Sequence, residues 1–138
     1  MYHSAWLLGK IRTIIETWWI IAINENSTPL THYVIIRRDL PIGFISAQLV
    51  HAAGESVSGS LPQGTFAVVL EVEDEPRLRE LANNLQIGDI KHTLITEVDA
   101  PYTGQATAIG IEPTRNRGEL KKYLSSLPLF GKHRMLKE

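Results

Sequence analysis

The 138-residue chain contains no cysteine, which excludes disulfides and cysteine-ligated zinc and fits a reducing, cytoplasmic compartment. Its five histidines are scattered, and no two stand at i, i+4, so a helical metal pair is not expected. Long uncharged hydrophobic runs are missing as well. Residues 5–23 come nearest to a membrane span, but Lys10, Arg12 and Glu16 interrupt them, and they match a cleaved signal peptide poorly. Net charge is also small: at −1 it provides no general attraction to nucleic acid, so neither a membrane nor DNA is an expected partner. The 43% hydrophobic and 21% charged residues are those of an ordinary globular protein, with room for one domain and one real core.

The distribution of charge says more than its sum. Residues 71–100 carry eight acidic side chains against three basic ones, whereas residues 101–138 carry seven basic (Arg115, Arg117, Lys121, Lys122, Lys132, Arg134, Lys137) against three acidic. The C-terminal segment therefore either meets phosphates or forms a solvated basic helix face.

The first thirty residues stand apart. Leu7, Ile11, Ile14, Trp18 and Ile21 alternate four- and three-residue steps, which suits one face of an amphipathic helix, while residues 17–23 (TWWIIAI) equally suit a short buried strand. The polar stretch 24–29 reads as a linker. Residues 1–30 are thus an extension, either a partner-binding helix or the product of an over-called translation start. The domain is expected over residues 31–132, with a basic tail over 133–138.

Within the domain, strands and helices alternate. Residues 33–36 (YVII), β-branched after Tyr33, read as a buried strand. Residues 44–57 read as a helix, with Ile45, Leu49 and Ala52 at i, i+4, i+7 and Val50, Ala53 and Val57 beside them. Residues 65–72 (TFAVVLEV) form a second strand whose apolar middle suits a central position. Asp74-Glu75-Pro76 opens a helix with negative charge and proline, and Leu78, Leu81, Ala82 and Leu85 are its buried stripe. Strands follow at 92–97 and 106–111. Asn116 and Glu119 resemble a capping box, which opens a last helix burying Leu120, Tyr123, Leu124 and Leu127. The order β-α-β-α-β-β-α predicts a single α/β domain, a mixed four-stranded sheet with helices on both faces. That architecture alone supports many functions.

Three local patterns narrow the choice. Arg37-Arg38-Asp39-Leu40, then Gly43, then Ala47-Gln48-Leu49-Val50-His51-Ala52 resembles the R-x-D-L … G … A-Q-x-x-H-A pattern of type II peptidyl-tRNA hydrolases. Asp99-Ala100-Pro101-Tyr102-Thr103 is similar to the family's D-A-G-R-T, and Thr107-Ala108-Ile109-Gly110-Ile111 to its T-V-L-G-I strand. The resemblance covers about a hundred residues in matching order. Lys121-Lys122-Tyr123 and Pro128-Leu129-Phe130 look closer still to the shortened branch called peptidyl-tRNA hydrolase domain-containing proteins. Two departures accompany these matches. The stretch between Gly43 and Gln48 is two residues shorter than the family's G-K-G-K-x-A-A-Q and carries Phe44 in place of lysine. The interval from Thr103 to Thr107 is also contracted.

The resemblance implies hydrolysis of the ester between a peptidyl group and tRNA, with tRNA as partner and a homodimer as the common state of relatives. No motif supplies a metal site or a Ser-His-Asp arrangement, so direct attack by an oriented water is the simplest mechanism, and no cofactor is expected. By the resemblance, Asp99 orients or deprotonates that water, and Thr103 and Thr107 position it or hydrogen-bond the developing charge. Each has a plainer alternative: Asp99 as a turn residue before Pro101, Thr107 as a strand residue with a buried hydroxyl.

The candidate substrate-binding residues are Arg37, Asp39, Phe44, Gln48, His51, Arg115, Lys121 and Lys122. On a helical wheel Phe44, Gln48, His51 and Glu55 share an arc opposite Ile45, Leu49, Val50 and Ala53, so that arc is expected to face a cleft. A structural role for His51 and an Arg37–Asp39 brace are the alternatives there. Retention of Asp99, Thr103 and Thr107 favours an enzyme. Phe44 and the shortened loops favour a weak or inactive module that binds tRNA or a protein. A general small-ester hydrolase is a third reading.

Overall fold

The structure, a computed structural model, describes residues 28–132. The amphipathic repeat of residues 7–21, the 17–23 stretch and the tail 133–138 lie outside the described residues. Seven elements follow in order: β1 (Thr31–Arg37), α1 (Ile42–Glu55), β2 (Phe66–Val72), α2 (Glu75–Ile87), β3 (His92–Thr96), β4 (Ala106–Ile111) and α3 (Arg117–Leu124). They form a single α/β domain with a mixed four-stranded sheet in the order β2-β1-β4-β3. β1 and β2 run parallel, from Thr31 opposite Phe66 to Arg37 opposite Val72. β4 is antiparallel to both β1 and β3. Among the described residues no helix is long and apolar enough to cross a membrane.

Alternation along β1 divides the core. Val34 and Ile36 face α1 and pack with Ile45, Ala52, Ile95 and Ala108. Tyr33 and Ile35 face α2 and α3 and pack with Leu78, Leu85, Ile109, Leu120 and Leu124. All seven residues of β1 are buried, so the central strand is β1. The expectation of a central position for residues 65–72 is therefore corrected: β2 is an edge strand. Its second half is buried because residues 128–130 lie along its outer side. The Glu71 N–H donates to the Pro128 carbonyl at 3.0 Å and the Phe130 N–H to the Val69 carbonyl at 2.9 Å. Its first half is open, with Phe66 54% exposed. A covered edge resists pairing with another chain.

The helix starts follow their local chemistry. Asp74 caps α2 by accepting from the Arg77 N–H at 3.1 Å, with proline in the first turn. Asn116 caps α3 by accepting from the Glu119 N–H at 3.3 Å. The reciprocal half of the expected capping box is absent, because the Asn116 N–H donates instead to Thr114 Oγ1 at 2.9 Å.

α1 has no side-chain cap and buries Ile45, Gln48 and Ala52. The expected wheel is thereby turned: Gln48 lies on the buried stripe, and Val50 is 72% exposed. At its C-terminal end α1 presses on β4 at Gly110, where a Cβ would come 2.2 Å from the Ala52 carbonyl oxygen. Only glycine lets the helix approach that closely.

Candidate active site

The site begins with an irregularity in β4. Ile95 pairs with Ala108 and Thr96 with Ala106, so Thr107 is the extra residue of a bulge. Strict alternation would turn Thr107 toward α2 and α3, with Ile109 and Ile111. The bulge re-aims it toward α1, where its hydroxyl donates to Gln48 Oε1 at 2.5 Å in a fully buried position. Gln48 Nε2 donates onward to Glu97 Oε2 at 2.9 Å. Glu97 Oε1 in turn accepts the backbone N–H groups of Val98 at 2.7 Å and Asp99 at 3.1 Å. The N–H groups of Asp99 and Val98 hold the Glu97 carboxyl below its ordinary value, so it is ionised at neutral pH. One chain of hydrogen bonds thus joins the bulge, α1 and the β3–β4 loop.

That loop is short and internally bonded. The Tyr102 N–H donates to the Asp99 carbonyl at 3.2 Å, Gln105 N–H to the Tyr102 carbonyl at 2.9 Å, and Gly104 N–H to the Glu97 carbonyl at 2.7 Å. Gly104 sits at φ +79, a conformation that favours glycine. Asp99 and Thr103 are exposed on the loop, and among the described residues neither side chain has a hydrogen-bond partner. An exposed carboxylate on a fixed loop can take a proton from water or hold a water by accepting its hydrogen bond.

Arg37 anchors the far end of the loop. Its guanidinium forms a two-bond pair with Asp39 and also donates from Nη1 to Gln105 Oε1 at 2.9 Å and to the Ala106 carbonyl at 3.0 Å. The first turn of α2 grips the same stretch. Glu75 accepts from the Ala106 N–H, which keeps its carboxyl below the ordinary value. Arg79 donates to the Gly104 carbonyl at 3.1 Å. Beside this, Phe44 at the start of α1 stacks on Tyr102 of the loop, ring centroids 4.6 Å apart and planes at 29°.

Arg37, Asp39, Phe44, Gln48, Asp99, Thr103 and Thr107 are therefore gathered at one end of the sheet. His51 stands at their margin, exposed on α1 4.0 Å from Glu55 and near enough to Glu97 to help lower that carboxyl. The remaining candidates lie elsewhere. Arg115 donates to the Thr28 carbonyl, beyond the opposite end of β4. Lys121 and Lys122 lie on α3, which packs across the other sheet face near the C-terminal end of α2. Sequence reasoning missed Glu97 and Tyr102 as members of the site. The only signal for Glu97 was a carboxylate two residues before Asp99, close enough in the chain to accept the N–H groups that follow it. Among the described residues no group of three or more His, Asp or Glu side chains is arranged to hold a metal ion.

Comparison with known proteins agrees over the same span. The family model of peptidyl-tRNA hydrolase PTH2 matches residues 30–130. The Mus musculus protein PTRHD1 is 33% identical over 119 residues, 73% of this chain and 82% of its own length. A peptidyl-tRNA hydrolase of Methanococcus maripaludis is 30% identical over 112 residues, 70% of this chain and 96% of its own. Among solved structures, Atu0240 of Agrobacterium, a protein of unknown function, aligns with a TM-score of 0.45 at 17% identity over 72% of this chain and 96% of its own. On the family match and the identities to the mouse and Methanococcus relatives, the chain belongs to the peptidyl-tRNA hydrolase PTH2 family.

Proposed function

We propose that this protein hydrolyses the ester between a peptidyl, or N-blocked aminoacyl, group and tRNA, by direct attack of a water held by Asp99. The observation that carries the reading is an exposed carboxylate on a loop tied down at both ends, by Glu97 and Gln48 on one side and Arg37 on the other. Asp99 takes a proton as the water oxygen bonds to the ester carbonyl. The resulting tetrahedral oxyanion collapses, the ribose oxygen leaves, and it recovers a proton. Thr103, exposed on the same loop, donates to the water or to the developing oxyanion. Thr107 is buried and hydrogen-bonded to Gln48, so its contribution passes through Gln48 rather than by touching substrate. The names of the Methanococcus relatives support the same substrate.

Phe44 and Tyr102 offer partly exposed ring surface beside Asp99. In this reading they stack on an unpaired base of the tRNA acceptor end, worth about 1–3 kcal/mol per base. Phenylalanine cannot stabilise an oxyanion as an ammonium group does, and loss of one such group costs on the order of 10²–10³ in rate. A slow hydrolase that binds the acceptor end well is the expected result.

The test is turnover of N-blocked aminoacyl-tRNA by the purified protein beside Asp99→Asn. The variant should lose about a hundredfold or more in rate with an unchanged melt. Wild-type turnover in Asp99→Asn would remove Asp99 from the mechanism. Tight tRNA binding with no turnover in the native protein would favour the second reading, a binding module, to which the aromatic Phe44 already points.

A further inference from the structure

We infer that Glu97 is the positioning residue for Asp99, acting by tying the backbone of the loop to the buried Gln48–Thr107 pair. The inference rests on the reading of Asp99 as the group that holds the attacking water. The grips of Arg37, Arg79 and Glu75 act on Gly104, Gln105 and Ala106, at the loop's far end. At the near end, the side chain that holds the Asp99 backbone is Glu97. Because the Asp99 carboxylate has no partner among the described residues, its location follows its backbone. That backbone is held by Glu97 at the N–H and by the Tyr102 N–H at the carbonyl.

The chain has a direction, and Glu97 sets it. An ionised carboxylate only accepts. Gln48 must therefore present its NH2 to Glu97, which leaves its carbonyl oxygen for Thr107 and obliges the threonine hydroxyl to donate. Gln48 is 2% and Thr107 0% exposed, so moving either would strand buried polar groups. Glu97 thus references an exposed loop to the rigid interior of the sheet and α1. Placement of this kind matters, since a displacement of about 1 Å at a reacting group can cost about a hundredfold in rate.

The experiment compares wild type, Glu97→Ala and Glu97→Gln by steady-state hydrolysis of N-blocked aminoacyl-tRNA, thermal melting and amide hydrogen exchange. Glu97→Ala should lose roughly 10–100-fold in kcat at a temperature well below its melt, keep its KM, melt several degrees lower because the buried Gln48 amide loses its acceptor, and exchange the Val98 and Asp99 amide protons faster. Glu97→Gln should recover both kcat and protection. Its side-chain oxygen still accepts the two N–H groups, while Gln48 turns its amide over and Thr107 becomes the acceptor.

Wild-type kcat in Glu97→Ala overturns the inference. So does a kcat loss that only tracks melting temperature and KM, or a Glu97→Gln variant no better than Glu97→Ala. If the native protein shows no turnover, the hydrolase reading falls by itself. Amide exchange then decides: faster exchange at Asp99 in Glu97→Ala with recovery in Glu97→Gln upholds the positioning role, and unchanged exchange overturns it.

Discussion

Arg37 and Asp39 meet in a two-bond pair just past β1, with Nε donating to Oδ1 at 3.0 Å and Nη2 to Oδ2 at 2.9 Å. The remaining nitrogen of the guanidinium reaches the β3–β4 loop at Gln105 and Ala106. Asp39 is therefore the group that orients Arg37, and Arg37 the group that fastens the loop to the central strand.

Lysine has one nitrogen and no planar fork, so it cannot serve these acceptors together. Arg37→Lys should destabilise the domain by about 1.5–3 kcal/mol, the range for a hydrogen bond to a charged group. Urea unfolding measures this. A midpoint equal to wild type would reduce the pair to surface decoration.

At Gly110 the C-terminal end of α1 lies directly against β4. A Cβ there would sit 2.2 Å from the Ala52 carbonyl oxygen and 2.4 Å from Ser56 Oγ. Gly110→Ala should therefore cost about 3 kcal/mol or more. Gly43→Ala, where a Cβ meets nothing within 4 Å, should instead stabilise α1 by up to about 1 kcal/mol. Equal melting temperatures for the two variants would contradict the packing described.

His32 is buried under the C-terminal end of α1 with Nε2 2.8 Å from Ser56 Oγ. The Ser56 hydroxyl donates to the Ala52 carbonyl at 2.7 Å, so His32 supplies the other hydrogen from Nε2. Burial lowers its pKa below the ordinary 6.5, so in this window the unfolded chain binds more protons than the folded one. Stability is then full above about pH 6.5 and falls as pH drops from there through the lowered folded value. Melting temperatures between about pH 7.5 and about pH 5 should show this decline, and His32→Gln should flatten it. A wild-type profile level across that range would refute the assignment.

Lys121 and Lys122 belong to α3, on the sheet face opposite α1, whereas Phe44 and Tyr102 pack on the α1 side. Charge reversal at both lysines, Lys121→Glu with Lys122→Glu, should leave turnover of an N-blocked aminoacyl-CCA fragment unchanged. With full-length tRNA, each phosphate contact these lysines make would flatten the log–log salt slope by about one unit on reversal. Slower turnover of the short fragment would mean that α3 reaches the acceptor end.

The sequence by itself determined the order of elements, because hydrophobic period, proline, glycine and capping residues act over a few positions. Asp74 and Asn116 cap the helices they precede, and 106–111 is a strand with the bounds its composition implies. It also determined the family, since three motifs recur in order along the chain.

Tertiary structure decided the rest. β2 lies at an edge because residues 128–130 cover its apolar half, a contact between segments far apart in the chain. Gln48 turns inward because a bulge in β4, some sixty residues later, offers it the Thr107 hydroxyl. Glu97 joins the site because that same amide has a second end to satisfy. Hydrogen-bond partners of buried polar groups are chosen across space, and local propensity carries no record of them.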